Sequence, residues 1–93
     1  MILVFGAGGL LGSCLYQAFP KDVIPAYHSD CDISDPLELR KFIEKIHPDI
    51  LINAAGIVKA RSVSAQYQYK VNAASPILMA DFCDLLDIRF IQV

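Results

Sequence analysis

No stretch of this chain can cross a bilayer as a helix, because no apolar run approaches the ~20 residues that a span requires. Basic charge is not in excess either. Lys and Arg number 8 against 10 Asp and Glu, a formal net charge of −2, so the electrostatic footprint of a nucleic-acid partner is missing. An anionic ligand would therefore have to be held by local dipoles and backbone amides. Cys14, Cys31 and Cys83 are an odd count with no C-x-x-C pair, which suggests neither a disulfide framework nor a zinc site. Cys14 and Cys83 fall on apolar helix faces and read as core residues. Charged residues are scarce at 19% beside 55% hydrophobic, which excludes disorder. The first strand opens at Met1 with no charged leader, so a cytoplasmic protein is the default expectation. The 93 residues suffice for one domain with a modest core.

What is present is concentrated at the start. Met1-Ile2-Leu3-Val4-Phe5 is a run of strand formers that meets Gly6-Ala7-Gly8-Gly9-Leu10-Leu11-Gly12. Apolar residues then recur at Leu10, Leu11, Cys14, Leu15, Ala18 and Phe19, the repeat of an amphipathic helix. Gly6, Gly9 and Gly12 have G-x-x-G-x-x-G spacing, and Gly8 adds the G-x-G of the dinucleotide fingerprint. Placed between a strand and a helix, such glycines turn the chain, admit a pyrophosphate and let the helix pack tightly, while the helix N-terminus faces the phosphates. Gly12-Ser13-Cys14 lacks the Gly-Lys-Ser/Thr ending of a P-loop, which argues against phosphate transfer.

Further along, Val23-Ile24-Pro25-Ala26-Tyr27 reads as a second strand, irregular or unpaired on one side at Pro25. Asp35-Pro36-Leu37-Glu38 starts a helix, with Asp35 as N-cap, Pro36 at the first position and Glu38 closing a capping box. Leu39, Phe42, Ile43 and Ile46 are its buried stripe, and His47-Pro48 ends it. The continuous apolar strand Asp49-Ile50-Leu51-Ile52-Asn53 runs into Ala54-Ala55-Gly56, and a loop is expected from Ile57 to Ser64. From about Ala65 to Leu86 the spacing is helical through Tyr67, Val71, Ala74, Leu78, Phe82 and Leu85, with Pro76 bending or restarting the helix. Arg89-Phe90-Ile91-Gln92-Val93 is the last strand. Alternating strands and helices with right-handed crossovers give an α/β, Rossmann-type doubly wound parallel sheet, its N-terminal half only, and bring Gly6–Gly12 beside Ala54–Gly56.

The glycine turn, Asp32-Ile33-Ser34-Asp35-Pro36, Pro48-Asp49-Ile50-Leu51-Ile52-Asn53-Ala54-Ala55 and Val71-Asn72-Ala73, in that order, resemble the extended short-chain dehydrogenase/reductase superfamily. Within it the chain is most similar to the dTDP-4-dehydrorhamnose reductase family of nucleotide-sugar reductases. The resemblance implies that residues 1–93 are the NAD(P)-binding part of such an enzyme. It implies that Gly6, Gly9 and Gly12 form the pyrophosphate turn with the Leu10 and Leu11 amides, and that Asp32 and Ile33 meet the adenine. Ala54, Ala55 and Gly56 would line the ribose and nicotinamide side, and Asn72 would support the active site. The whole enzyme would reduce the C4 ketone of a dTDP-linked deoxysugar, using a tyrosine of a Tyr-x-x-x-Lys motif as proton donor.

That motif is not among these residues, since Tyr67 and Lys70 are spaced Tyr-x-x-Lys, so the 93-residue stretch is expected to be inactive alone. Two other departures are Leu10, where the reductases usually carry glutamine, and residues 56–61, which lack the family's acidic segment. Leu10 is closer to the epimerase/dehydratase relatives, and a non-catalytic subunit that keeps the dinucleotide fold is a further alternative. The implied partner is a nucleotide-sugar, with no nucleic acid or membrane; the oligomeric state is not legible. For the cofactor, an NAD site places an acidic residue about 20 residues after the turn begins, at the end of the second strand. Here stand Tyr27-His28-Ser29, with Asp30 a few residues late. His28 and Ser29 can donate to a 2′-phosphate, so NADP or NAD with a modest NADPH preference is expected.

Overall fold

A computed structural model describes residues 1–56 and 64–93. The elements are β1 (Ile2–Phe5), α1 (Leu10–Ala18), β2 (Val23–Ala26), α2 (Pro36–Ile46), β3 (Ile50–Asn53), α3 (Ala65–Tyr69), a π-helical turn (Lys70–Ala74), α4 (Ser75–Leu85) and β4 (Arg89–Gln92). The loop expected from Ile57 and the segment after Gly56 lie outside the described residues up to Val63.

All four strands are parallel in the order β2-β1-β3-β4. The chain therefore leaves β1 to one side through α1 and returns to its other side through α2, which is the doubly wound arrangement expected. A strand buried on both faces needs no polar alternation, which is why β1 reads as an unbroken apolar run; β3 reads the same way but is fully buried on one face only. Pro25 is accommodated because β2 is the edge strand, pairing only with β1 among the described strands. The core lies on the face covered by α2 and α4. Leu3, Phe5 and Leu51 of the sheet meet Leu39 and Ile43 of α2 and Met79 and Cys83 of α4 there. The Phe5 and Phe42 rings sit 5.9 Å apart in a tilted pair across that seam.

Helix α2 follows its signals with one change. Asp35 Oδ1 accepts the Leu37 and Glu38 amides at 3.1 and 3.3 Å, and His47, in the left-handed region at φ 44°, closes the helix through its N–H to the Ile43 carbonyl. Glu38 does not complete a capping box. Its carboxylate accepts the Asp32 amide at 3.0 Å instead, because Asp35 N–H is already given to the Asp32 carbonyl.

Two expectations about burial are corrected. In α1 only Gly12 is buried, whereas Leu10, Leu11 and Cys14 are exposed and Leu15 is half-buried. The helix approaches the sheet through its glycine contact, which leaves its apolar side chains outside. In the long C-terminal helix the fully buried line is Val71, Ser75, Met79 and Cys83; of the residues that carry the helical spacing, Tyr67, Leu78 and Phe82 pack partly buried against the core and Leu85 is exposed. A step of four residues overshoots an α-helical turn by about 40°. The wider π turn takes up an extra residue and moves the buried face one position along.

Candidate functional site

The glycine turn and the end of β3 interlock. Gly6 stands at φ 80°, and a Cβ there would lie 2.6 Å from the Ala54 carbonyl carbon and the Ala55 nitrogen. A Cβ on Gly12 would strike the Gly6 carbonyl and approach the Ala7 Cα to 2.9 Å. Both positions therefore exclude any side chain, as the tight turn and the close helix packing of a dinucleotide fold require. The turn is closed by Gly9 N–H donating to the Gly6 carbonyl at 3.0 Å. Gly9 is the N-cap of α1 and brings no side chain to satisfy the first-turn amides. Those amides, of Leu10, Leu11 and Gly12, have no intrahelical acceptor and present the positive end of the helix.

Next to this turn, at the C-terminal ends of β1 and β3, opens a cleft of about 500 Å³. It is where the strand order reverses, the place where ligands bind in open α/β sheets. Of the residues expected from the sequence, Gly6, Gly9, His28, Ile33, Ala54, Ala55 and Gly56 line it. Leu10, Leu11, Gly12, Asp32 and Asn72 do not. Gly12 is buried under the turn, while Leu10 is 86% exposed and Leu11 also faces outward. Asn72 stands beside Gly56, where a Cβ would be 3.7 Å from its Oδ1.

Asp32 holds the loop that presents Ile33. Its Oδ1 accepts both the Ser34 amide, at 3.0 Å, and the Ser34 hydroxyl, at 2.6 Å. Those bonds hold its carboxyl below the usual aspartate range, against partial burial, with smaller help from His28 and Lys70. Asp30 is also committed, its Oδ2 accepting the Tyr27 amide at 2.9 Å, and it does not line the cleft. Among the described residues no group of His, Cys, Asp and Glu could hold a metal ion.

Residues not expected from the sequence complete the site. Tyr67 and Val71, one turn apart, line the cleft together with Gly8. Asn53, fully buried, donates to Gln92 Oε1 at 2.9 Å and accepts the Ala55 amide at 3.2 Å, which fixes the path of the chain into Ala54 and Ala55. An asparagine ending an apolar strand was the available signal for it. Ser75 is likewise buried, with its hydroxyl within hydrogen-bonding reach of two backbone carbonyls.

The fold is shared with known enzymes. A dTDP-4-dehydrorhamnose reductase from Clostridium acetobutylicum is 30% identical, with a TM-score of 0.83 over 96% of this chain and 34% of that one. A hypothetical dTDP-4-dehydrorhamnose reductase from Sulfolobus tokodaii is 27% identical, with a TM-score of 0.87 over 98% and 37% of the two chains. The dTDP-4-dehydrorhamnose reductase of Bacillus anthracis in complex with NADP is 22% identical, with a TM-score of 0.82 over 96% and 34%. This chain thus spans about a third of the length of these structures. No curated protein matches it. The family described as the RmlD substrate binding domain matches residues 1–93 from end to end, and the chain belongs to that family.

Proposed function

We propose that the cleft binds NADP or NAD and that this chain is the cofactor-binding part of an oxidoreductase acting on the C4 ketone of a dTDP-linked deoxysugar. The observation that carries this reading is the interlock of Gly6 and Gly12 with the end of β3 under an uncapped helix start. In this reading the amides of Leu10, Leu11 and Gly12 hold the pyrophosphate. Asp32 and Ile33 meet the adenine, Ala54, Ala55 and Gly56 leave room for the ribose and nicotinamide, and Asn72 supports the reacting end. The bound dinucleotide supplies the hydride; these residues orient it and keep the cleft closed to bulkier groups. The reductase from Bacillus anthracis carries NADP, which is consistent with this assignment.

His28 lines the cleft and Asp30 is tied to the Tyr27 amide, so among the described residues no carboxylate stands ready for a ribose 2′-hydroxyl. A modest NADPH preference follows, weak because no Arg or Lys among the described residues lines the cleft to grip the phosphate. Parallel titrations of NADPH and NADH on the full-length protein test it. A tenfold preference for NADH, about 1.4 kcal/mol, overturns the assignment of His28. Leu10, standing where the reductases that the chain resembles usually carry glutamine, supports a second reading, a sugar-nucleotide epimerase or dehydratase. Consumption of NADPH with a dTDP-4-keto sugar selects the reductase; tightly retained NAD with no net consumption selects the alternative.

A further inference from the structure

The hydroxyl of Ser75 lies 2.6 Å from the Ile33 carbonyl oxygen and 2.6 Å from the Lys70 carbonyl oxygen. It has one hydrogen and two acceptors to serve. The Lys70 carbonyl already receives the Ser75 backbone N–H, the bond that defines the π turn. The hydroxyl hydrogen is therefore better used on Ile33. Ser75 is only 2% exposed, so a carbonyl left without that donor would be poorly served by water.

This hydrogen bond joins two pieces of chain distant in sequence. Ile33 lines the cleft from the loop before α2, and Val71, within the π turn, lines it from the helix. On the outer side the seam between them is not filled, for a groove of about 410 Å³ lies between Ser34 of the loop with Pro36 at the start of α2 and Tyr69 and Lys70 of the C-terminal helix. Apolar packing alone does not fix their separation there. Ser75 follows Val71 by four residues and so stands on the same side of the helix, where its hydroxyl reaches the loop.

We propose that Ser75 is a positioning residue for the cofactor cleft: its hydroxyl ties the Ile33 carbonyl to the π turn and thereby sets the spacing of the two walls that hold the adenine. This rests on the cleft being the dinucleotide site. Ser75 touches no cofactor itself and acts through Ile33 and Val71. Ser75→Ala removes the tie without adding bulk, and Ser75→Thr keeps the hydroxyl.

The test measures binding of NADPH and of its adenine half, 2′,5′-ADP, to the full-length protein, with amide hydrogen exchange followed on each variant. Ser75→Ala is expected to weaken both ligands by the same factor, about tenfold, and Ser75→Thr to restore most of it. Exchange should rise in residues 32–35 and 71–75 while α2 and the Met79–Cys83 part of α4 stay protected. Equal binding by wild type and Ser75→Ala overturns the proposal. So does faster exchange throughout α2 and α4, which would mean that the hydroxyl only stabilises the fold. If the wild type binds neither ligand, the cofactor reading itself fails and the role of Ser75 falls with it.

Discussion

At Gly6 the left-handed backbone and the Ala54 carbonyl both forbid a side chain, whereas a Cβ on Gly8 would meet only the Tyr27 ring at 3.8 Å, an ordinary contact. The left-handed conformation alone makes Gly6→Ala cost about 1–2 kcal/mol, and the overlap with β3 adds to it. Gly8→Ala should stay within about 0.5 kcal/mol. Urea denaturation of both variants checks this, and equal losses would contradict the geometry. The glycine spacing made the turn legible in the sequence, but not which glycines are structurally obligatory, because that depends on what β3 brings against them. Cysteine shows the same limit. Burial, aided by Glu38 and Asp32, pushes the Cys31 thiol up to about 12, and burial pushes Cys83 up to about 11. Cys14, read from periodicity as a core residue, is exposed. A thiol reagent at neutral pH should therefore label Cys14 alone in the native chain and all three cysteines after unfolding. Early labelling of Cys31 would show that its loop opens.

Among the elements, the start of α2 is the best specified by local chemistry. Removing its cap with Asp35→Ala should cost about 1 kcal/mol, read as a lower denaturation midpoint. The neighbouring Asp32 has a folded-state pKa below its unfolded value because Ser34 donates to it twice. Its contribution is fully present above the ordinary aspartate value of about 3.9 and is lost as pH falls through the lowered one. Urea denaturation of wild type and Asp32→Asn should therefore differ at about pH 5 and converge towards about pH 2. A gap that widens on acidification would contradict the assigned shift. The C-terminal helix was legible only as a helix. The helical spacing runs through Leu85 and not through Met79, yet Met79 is fully buried and Leu85 is 81% exposed. A pattern built on α-helical geometry does not anticipate a π turn, and contacts between distant segments, such as that of Ser75 with Ile33, are not written in local spacing. Met79→Ala should cost about 2–5 kcal/mol, while Leu85→Ala stays within about 0.5 kcal/mol. The reverse order would restore the uninterrupted helix.

For the molecule as a whole, the two faces of the sheet are unequal. Alternation along the strands sends Leu3, Phe5 and Leu51 towards α2 and α4, and Ile2, Val4, Ile50, Ile52 and Ile91 to the opposite face. On that face α1 packs against β2, but over β3 and β4 the cover thins. Ile50 and Ile52 are half-buried, and Ile91, the register partner of Ile52, is 41% exposed beside the exposed Val93. Topology explains the imbalance. The crossovers through α2 and α4 both run to the same side of the sheet, so among the described residues only the β1–β2 connection places a helix on the other. Contiguous apolar surface of this kind drives association when nothing covers it. A polypeptide of these 93 residues alone is therefore expected to be marginally stable and to self-associate. Sedimentation over a concentration series should show mass rising with concentration, and Ile91→Lys, which puts a charge in the middle of the uncovered strip, should shift the distribution towards monomer. The substitution changes only that face, because Phe90 and Gln92 point to the other, so the cofactor cleft should be undisturbed. A chain that stays monomeric at every concentration and melts in one cooperative step without ligand would show that α1 and the strand side chains shield this face well enough by themselves.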